Sequence, residues 1–272
     1  MIRGMKGFTL IEMAIGILLT GVILSASFSI YLTQHKQLLV QDEISDLQSN
    51  VRAATAELAT RIRMAGYGLP NSIRAIQAYD TNPDSIAIAY ASNELNGIHL
   101  EQSMPEASAI LRCDGHDLSN IHENDWLYIV DPFLNTGEYF LVSAVDYSAS
   151  CIQHNTSVLS HAYPAGSNVL KLLHFKYYID MPDSGHPNLM CQVNNEIAQI
   201  FAENITDIQF RYGLSSSVVV DMPVNEEMIR EILITVSARS FNSDPEFLNQ
   251  YRTRTSETRV KVRNLGINYV RE

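Results

Sequence analysis

The chain lacks every short motif by which common enzyme classes are recognised. No Gly-x-x-x-x-Gly-Lys, Gly-x-Gly-x-x-Gly, Gly-x-Ser-x-Gly, His-Glu-x-x-His or Cys-x-x-Cys string occurs in its 272 residues. Phosphate cradling, dinucleotide binding, nucleophile-elbow hydrolysis and the common zinc frameworks therefore have no local signature here. Basic residues are scarce, 19 against 30 acidic, for a net charge of −11. Binding along a nucleic acid backbone needs clustered Lys and Arg, so this balance argues against it. Proline is absent before Pro70, and nothing in that stretch forbids a continuous helix. Only three cysteines are present. The apolar share of 46% is ordinary for a globular chain and excludes general disorder.

The first 32 residues are the most informative part of what is present. Arg3 and Lys6 precede Gly7, and an apolar run from Phe8 to Leu32 carries Glu12 as its only charge. About 20 apolar helical residues cross a bilayer. A secretory signal peptide has a shorter apolar core and a small-residue cleavage site, and Ala26-Ser27 is a poor one. A plain signal anchor, with Arg3 and Lys6 retained in the cytoplasm, fits length and charge. It does not account for Glu12, because a carboxylate in lipid is costly and needs a partner.

Lys6-Gly7-Phe8-Thr9-Leu10-Ile11-Glu12 resembles the class III signal of type IV prepilins and type II secretion pseudopilins. The resemblance implies cleavage after Gly7 by a prepilin peptidase and N-methylation of Phe8. Glu12 becomes the fifth residue of the mature chain and serves subunit assembly, facing the amino group of Phe8 on a neighbour. Such a head-to-tail contact generates an open filament.

Beyond the apolar run, Val40, Ile44, Leu47, Val51, Ala54, Leu58, Ile62 and Ala65 recur at spacings of three and four. This predicts one apolar stripe on a continuing helix. Asp42, Glu43, Asp46, Arg52, Glu57, Arg61 and Arg63 fall on its solvated side. Gly66 and Gly68 offer C-caps, and Pro70 stops the helix. Past Pro70 the period shifts to two. Strands are expected at 86–90, 109–113, 169–179, and in a hairpin of 126–130 with 139–142. Ile208/Phe210/Tyr212, Ile232/Ile234/Val236/Ala238 and Val260/Val262 predict three half-buried antiparallel strands with one wet face, which is to cover the helix stripe. Residues 92–163 read as a β-rich lobe without a linker. The fold class expected is α+β: a leader at 1–7, a long helix at 8–66 whose 8–32 segment is transmembrane or filament core, and a β-rich extracytoplasmic head at 67–272.

A finer resemblance covers both ends of the chain. Leu47-Gln48-x-Asn50 and Arg61 to Tyr67, with Asn204 to Gly213 and Ile232 to Arg239, are similar to PilW-type minor pilins; the middle lobe is unmatched. The resemblance implies the type IV pilin fold and a non-enzymatic subunit without cofactor that primes pilus assembly at the tip. Its implied partners are other minor pilins, the major pilin, the prepilin peptidase, the inner-membrane assembly platform and a tip adhesin. It places the chain in the bacterial inner membrane before assembly and on the cell surface afterwards, with twitching motility and cell adhesion as the processes served. Major pilins commonly carry a proline about twenty residues into the mature helix. Ser29 stands near that point here. The J-type minor pseudopilin of type II secretion shares the same plan and stays open, as does a membrane-anchored periplasmic enzyme or ligand-binding module.

Two further groups of residues bear on chemistry. Asp114, His116, Asp117, His122, Glu123 and Asp125 have the donor types for a divalent cation. They lie between strands, where Asp, Gly and His are ordinary turn residues, and no metal ligand is assigned. Cys113, Cys151 and Cys191 fall in the extracytoplasmic part. Cys113–Cys151 is the favoured pairing because each flanks a strand of the same region. The other two pairings, and three buried free thiols, remain open.

Overall fold

The computed structural model describes residues 9–70, 72–95, 97–134, 136–154, 158–182, 185–244 and 247–265. It is an α+β protein: a long helix, α1 (Leu10–Met64), followed among the described residues by strands and two single-turn 3-10 helices, Asn93–Leu95 and Glu226–Met228. These are β1 (Ile76–Tyr79), β2 (Ser85–Ala91), β3 (Leu111–Arg112), β4 (Trp126–Val130), β5 (Gly137–Leu141), β6 (Ala144–Asp146), β7 (Cys151–Gln153) and β8 (Asn168–Leu170). There follow β9 (Leu172–Asp180), β10 (Asn188–Val193), β11 (Gln199–Glu203), β12 (Ile205–Leu214), β13 (Val219–Val220), β14 (Ile229–Asp244) and β15 (Gln250–Lys261). They form a five-stranded sheet in the order β1-β2-β9-β10-β11 and a four-stranded one, β13-β12-β14-β15. Two three-stranded sheets, β3-β7-β6 and β5-β4-β8, complete the set.

The chain divides into two compact units, Met1–Ser49 with Ser240–Arg252, and Asn50–Arg239 with Thr253–Glu272. In the first, Leu47 is buried, Asn242 donates to Glu43 Oε1 at 2.6 Å, and Asp244 holds Arg252 at 2.7 Å. In the second, the helix stripe is buried where expected: Val51, Ala54, Leu58, Ile62 and Ala65. The four-stranded sheet shows clean alternation, with Ile208, Phe210, Tyr212, Ile232, Ile234, Val236 and Ala238 all inside.

Glu57 and Arg61, expected on the wet side, are half-buried and reach the five-stranded sheet. Glu57 Oε1 accepts Arg61 Nε at 2.7 Å and the Tyr177 hydroxyl at 2.9 Å. The Arg61 guanidinium also donates to the Tyr90 hydroxyl and lies 4.0 Å over the Phe175 ring. Long stems let both charged groups bridge to β2 and β9 from the flank of the stripe. The helix ends as its glycine demands: Gly66 adopts φ +81° and donates its N–H to Ala89 O at 2.9 Å. Asn264 Nδ2 donates to the open carbonyl of Ala65 at 3.2 Å, satisfying one of the helix's last acceptors.

The single strand expected at 169–179 is two strands. The chain changes sheets at Lys171, β8 pairing with β4 and β9 with β2 and β10. The strand expected at 109–113 is reduced to Leu111–Arg112. The hairpin of β4 with β5 forms in the register Trp126↔Leu141. Between β2 and β9 the chain builds a lobe with its own core, including Leu100, Leu111, Ile121, Leu127, Phe140, Ile152 and Val169. A smaller cluster of Ala91, Tyr128, Val130 and Leu172 joins lobe to sheet. The lobe enters and leaves at one point, where Ser92 N donates to Lys171 O at 2.8 Å.

Candidate functional site

Of the residues marked by the amino-terminal motif, Gly7 and Phe8 lie outside the described residues. Glu12 sits in the first turn of α1, and the preceding Thr9 caps it. Thr9 N and Thr9 Oγ1 donate to Glu12 Oε2 at 2.8 and 2.9 Å, and Glu12 N donates to Thr9 Oγ1 at 3.3 Å. This is a reciprocal capping box, Thr-x-x-Glu, and it gives the carboxylate a local role that the motif alone did not suggest. The two bonds donated by Thr9 both land on Oε2, leaving Oε1 for a further donor.

Around and after Glu12 the apolar surface is uncovered. Leu10, Ile17, Leu18, Ile23, Leu24 and Phe28 are all more than 60% exposed, and the exposed positions surround the helix. No part of the described chain covers the most apolar window, and α1 is long and apolar enough to cross a membrane. Burying one such side chain is worth about 1.5–3 kcal/mol, so removing this surface from water is strongly favourable. Three hydroxyls along it bond back to the helix's own carbonyls. Thr20 Oγ1 donates to Gly16 O at 2.8 Å, Ser25 Oγ to Gly21 O at 2.7 Å and Thr33 Oγ1 to Ser29 O at 3.0 Å. That arrangement suits a medium that offers no hydrogen bonds. A Cβ on Gly16 or Gly21 would meet nothing within 4 Å, so no contact among the described residues explains either glycine.

The polar group at 114–125 does not converge. Asp114 faces Gln102 and Arg112. Asp117 Oδ1 accepts Ser119 N at 2.9 Å in an Asx turn, and Asp125 Oδ2 reaches back to accept His122 N at 2.9 Å. Hydrogen bonds from Ser119 hold the Asp117 carboxyl below its ordinary value. Glu123 is exposed. His116 alone joins a convergent set, with His99 and Glu101. No contiguous motif links those three; the alternation of His99 and Glu101 about buried Leu100 was the one available signal.

The favoured disulfide is not formed: Cys113 and Cys151 are both free and buried, and Cys191 is also free. The β3–β7 register pairs Arg112 with Cys151, and Cys113 N donates to Ser150 O at 2.9 Å. The two cysteines are therefore offset by one residue, and alternation aims them at opposite faces of the ladder. Burial pushes the Cys113 thiol up to about 12, which marks it as an inert core thiol.

No protein-family model matches the chain, and no curated protein or solved structure is significantly similar to it.

Proposed function

We propose that this chain is a type IV prepilin-like filament subunit, a PilW-type minor pilin that primes pilus assembly at or near the tip. One observation carries the reading. The amino-terminal half of a 55-residue helix is uncovered apolar surface whose single carboxylate, Glu12, stands five positions from the Gly7–Phe8 junction. Such a surface serves two environments in turn, lipid before assembly and neighbouring helices afterwards. Gly16-x-x-x-Thr20 and Gly21-x-x-x-Ser25 present small residues one turn apart, which lets another helix approach closely. The free Glu12 Oε1 is then the acceptor for the methylated amino group of Phe8 on the adjacent subunit, fixing the axial register of one helix on the next.

In this reading the leader is cut in the inner membrane with the head outside the cytoplasm. The partners are other minor pilins, the major pilin, the assembly platform and a tip adhesin; the chain is not an enzyme. Mass spectrometry of the mature amino terminus tests the class, the expected species beginning with N-methylated Phe8. An unprocessed Met1 terminus refutes it and leaves a simple anchor. Deleting the gene then separates the two filament systems. Loss of surface pili and twitching with normal enzyme secretion supports the minor pilin; intact pili with stalled secretion assigns the chain to type II secretion instead.

A further inference from the structure

We propose that His99, Glu101 and His116 form a mononuclear site for a divalent transition-metal ion, zinc in the first instance, on the surface of the lobe between β2 and β9. Two chain segments bring the donors together. The first is extended: Leu100 N donates to Ser167 O at 2.9 Å, Gly166 N to Leu100 O at 2.7 Å, and Glu101 N to Arg112 O at 2.9 Å. Leu100 is fully buried in the lobe core, so alternation sends His99 and Glu101 outward on the same side. The second segment is the tight turn after β3, closed by His116 N donating to Cys113 O at 3.0 Å. Gly115 supplies the positive φ of +87° that this turn requires. Both segments are thus fixed by backbone bonds and core side chains rather than by the donors themselves.

The geometry at the centre fits a small tetrahedral ion. One ligand atom from each residue lies within 4.8 Å of the others. Glu101 Oε1 is 3.1 Å from His99 Nε2 and 3.3 Å from His116 Nε2. Two ligands at ~2.05 Å from zinc, at the tetrahedral angle, stand about 3.3 Å apart. The rings of His99 and His116 meet edge to face at 4.4 Å.

The hydrogen bonding around the three donors is that of a ligand set. His99 Nδ1 lies 2.9 Å from Gly97 O, and a carbonyl only accepts, so Nδ1 bears the proton. In the neutral ring Nε2 is then a bare acceptor pointed at a carboxylate, which is also an acceptor. His116 Nε2 is buried and makes no hydrogen bond. Two imidazole nitrogens and a carboxylate oxygen thus converge within 4.8 Å of one another, the arrangement that a cation between them completes. A backbone carbonyl that fixes the distal nitrogen is the usual outer support of a metal-bound imidazole. Two imidazoles favour zinc over calcium or magnesium. The side chains remain 38%, 44% and 22% exposed for His99, Glu101 and His116, which gives the ion an entry path and leaves a fourth position for water.

This inference is independent of the filament reading. The full-length protein in detergent, stripped with a chelator, is titrated with zinc chloride by calorimetry and by competition with a chromogenic chelator. One saturable equivalent is expected, along with a rise in melting temperature. His99→Gln, Glu101→Gln and His116→Gln are each expected to weaken zinc binding at least tenfold and to abolish that rise. Zinc-edge X-ray absorption of the wild-type protein, which depends on no variant, is expected to show two imidazoles and light-atom ligands at ~2.0–2.1 Å. Absence of saturable binding overturns the proposal and leaves a histidine–carboxylate ion pair. So does binding unchanged in all three variants, or an absorption spectrum with fewer than two imidazoles.

Discussion

Glu57 is the hub of the bonds tying α1 to the five-stranded sheet, and a double-mutant cycle with Tyr177 measures how much it matters. Its Oε1 accepts from both Arg61 and Tyr177. Tyr177 is fully buried, and burial next to Glu57 and Cys191 raises its phenol well above the ordinary value. Glu57→Ala leaves that hydroxyl without its carboxylate, at about 1–3 kcal/mol. The Cys191 thiol beside it is a weak acceptor and recovers little. The loss of the partly exposed ion pair with Arg61 adds about 0.5–1 kcal/mol, so the single variant should lose about 1.5–4 kcal/mol. Tyr177→Phe removes the hydroxyl and leaves Glu57 bound to Arg61, which costs about 1 kcal/mol. In the double variant no hydroxyl is stranded, so the sum of the single losses should exceed the double loss by about 1–2 kcal/mol. Thermal unfolding followed by tyrosine near-ultraviolet circular dichroism resolves this, at about 2–4 °C per kcal/mol for a domain of this size. Losses that add to within about 0.5 kcal/mol would refute the shared-acceptor argument.

Three further outcomes are expected. Gly66→Ala forces a side chain into φ +81° and within 3.0 Å of Asn264 O, so it should lower stability by about 1–2 kcal/mol in the same unfolding assay. Asp84 accepts Phe210 N at 2.8 Å, yet burial, aided by Asp80 and Asp207, raises its carboxyl above the ordinary 3.8. The folded state thus holds that proton more tightly than the unfolded one, a contribution present at low pH and lost as pH rises through the raised value. Asp84→Asn should therefore raise the melting temperature at pH 7, the gain fading towards pH 4; a constant gain would show that charge is not its cause. Glu12→Ala should leave the membrane-inserted subunit intact while blocking its recovery in sheared filaments, whereas Thr9→Val, which breaks the same capping box, should assemble. Equal defects in the two would reduce Glu12 to a helix cap.

Period alone revealed much of the fold. The stripe from Leu47 to Ala65 and the strands through Ile208 and Ile232 each bury one face, so their spacing is written in the sequence. The β10 strand, Asn-Leu-Met-Cys-Gln-Val, is mostly half-buried and shows no alternation to read. The break at Lys171 was hidden because residues 169–179 carry no turn residue and read as one strand-forming run, and which sheet each half joins is decided by partners far away in the chain. At the candidate sites the same rule applies. Thr9 and Glu12 are three apart, so their capping box is legible in the sequence. His116 meets His99 and Glu101 only through the turn at Gly115 and the bond of Glu101 to Arg112, a tertiary fact with no local pattern.

The meeting of Ser92 with Lys171 has a consequence for how this chain can vary. Because β2 and β9 are direct neighbours, with Ala91 opposite Leu172, everything between them is a graft on what is otherwise a simple hairpin. A short turn in its place would close the ladder in the same register. Shortening, lengthening or exchanging the graft leaves the strand order of the sheet untouched. Selection can thus redraw the surface carried by residues 92–171 while the elements that hold α1 stay fixed.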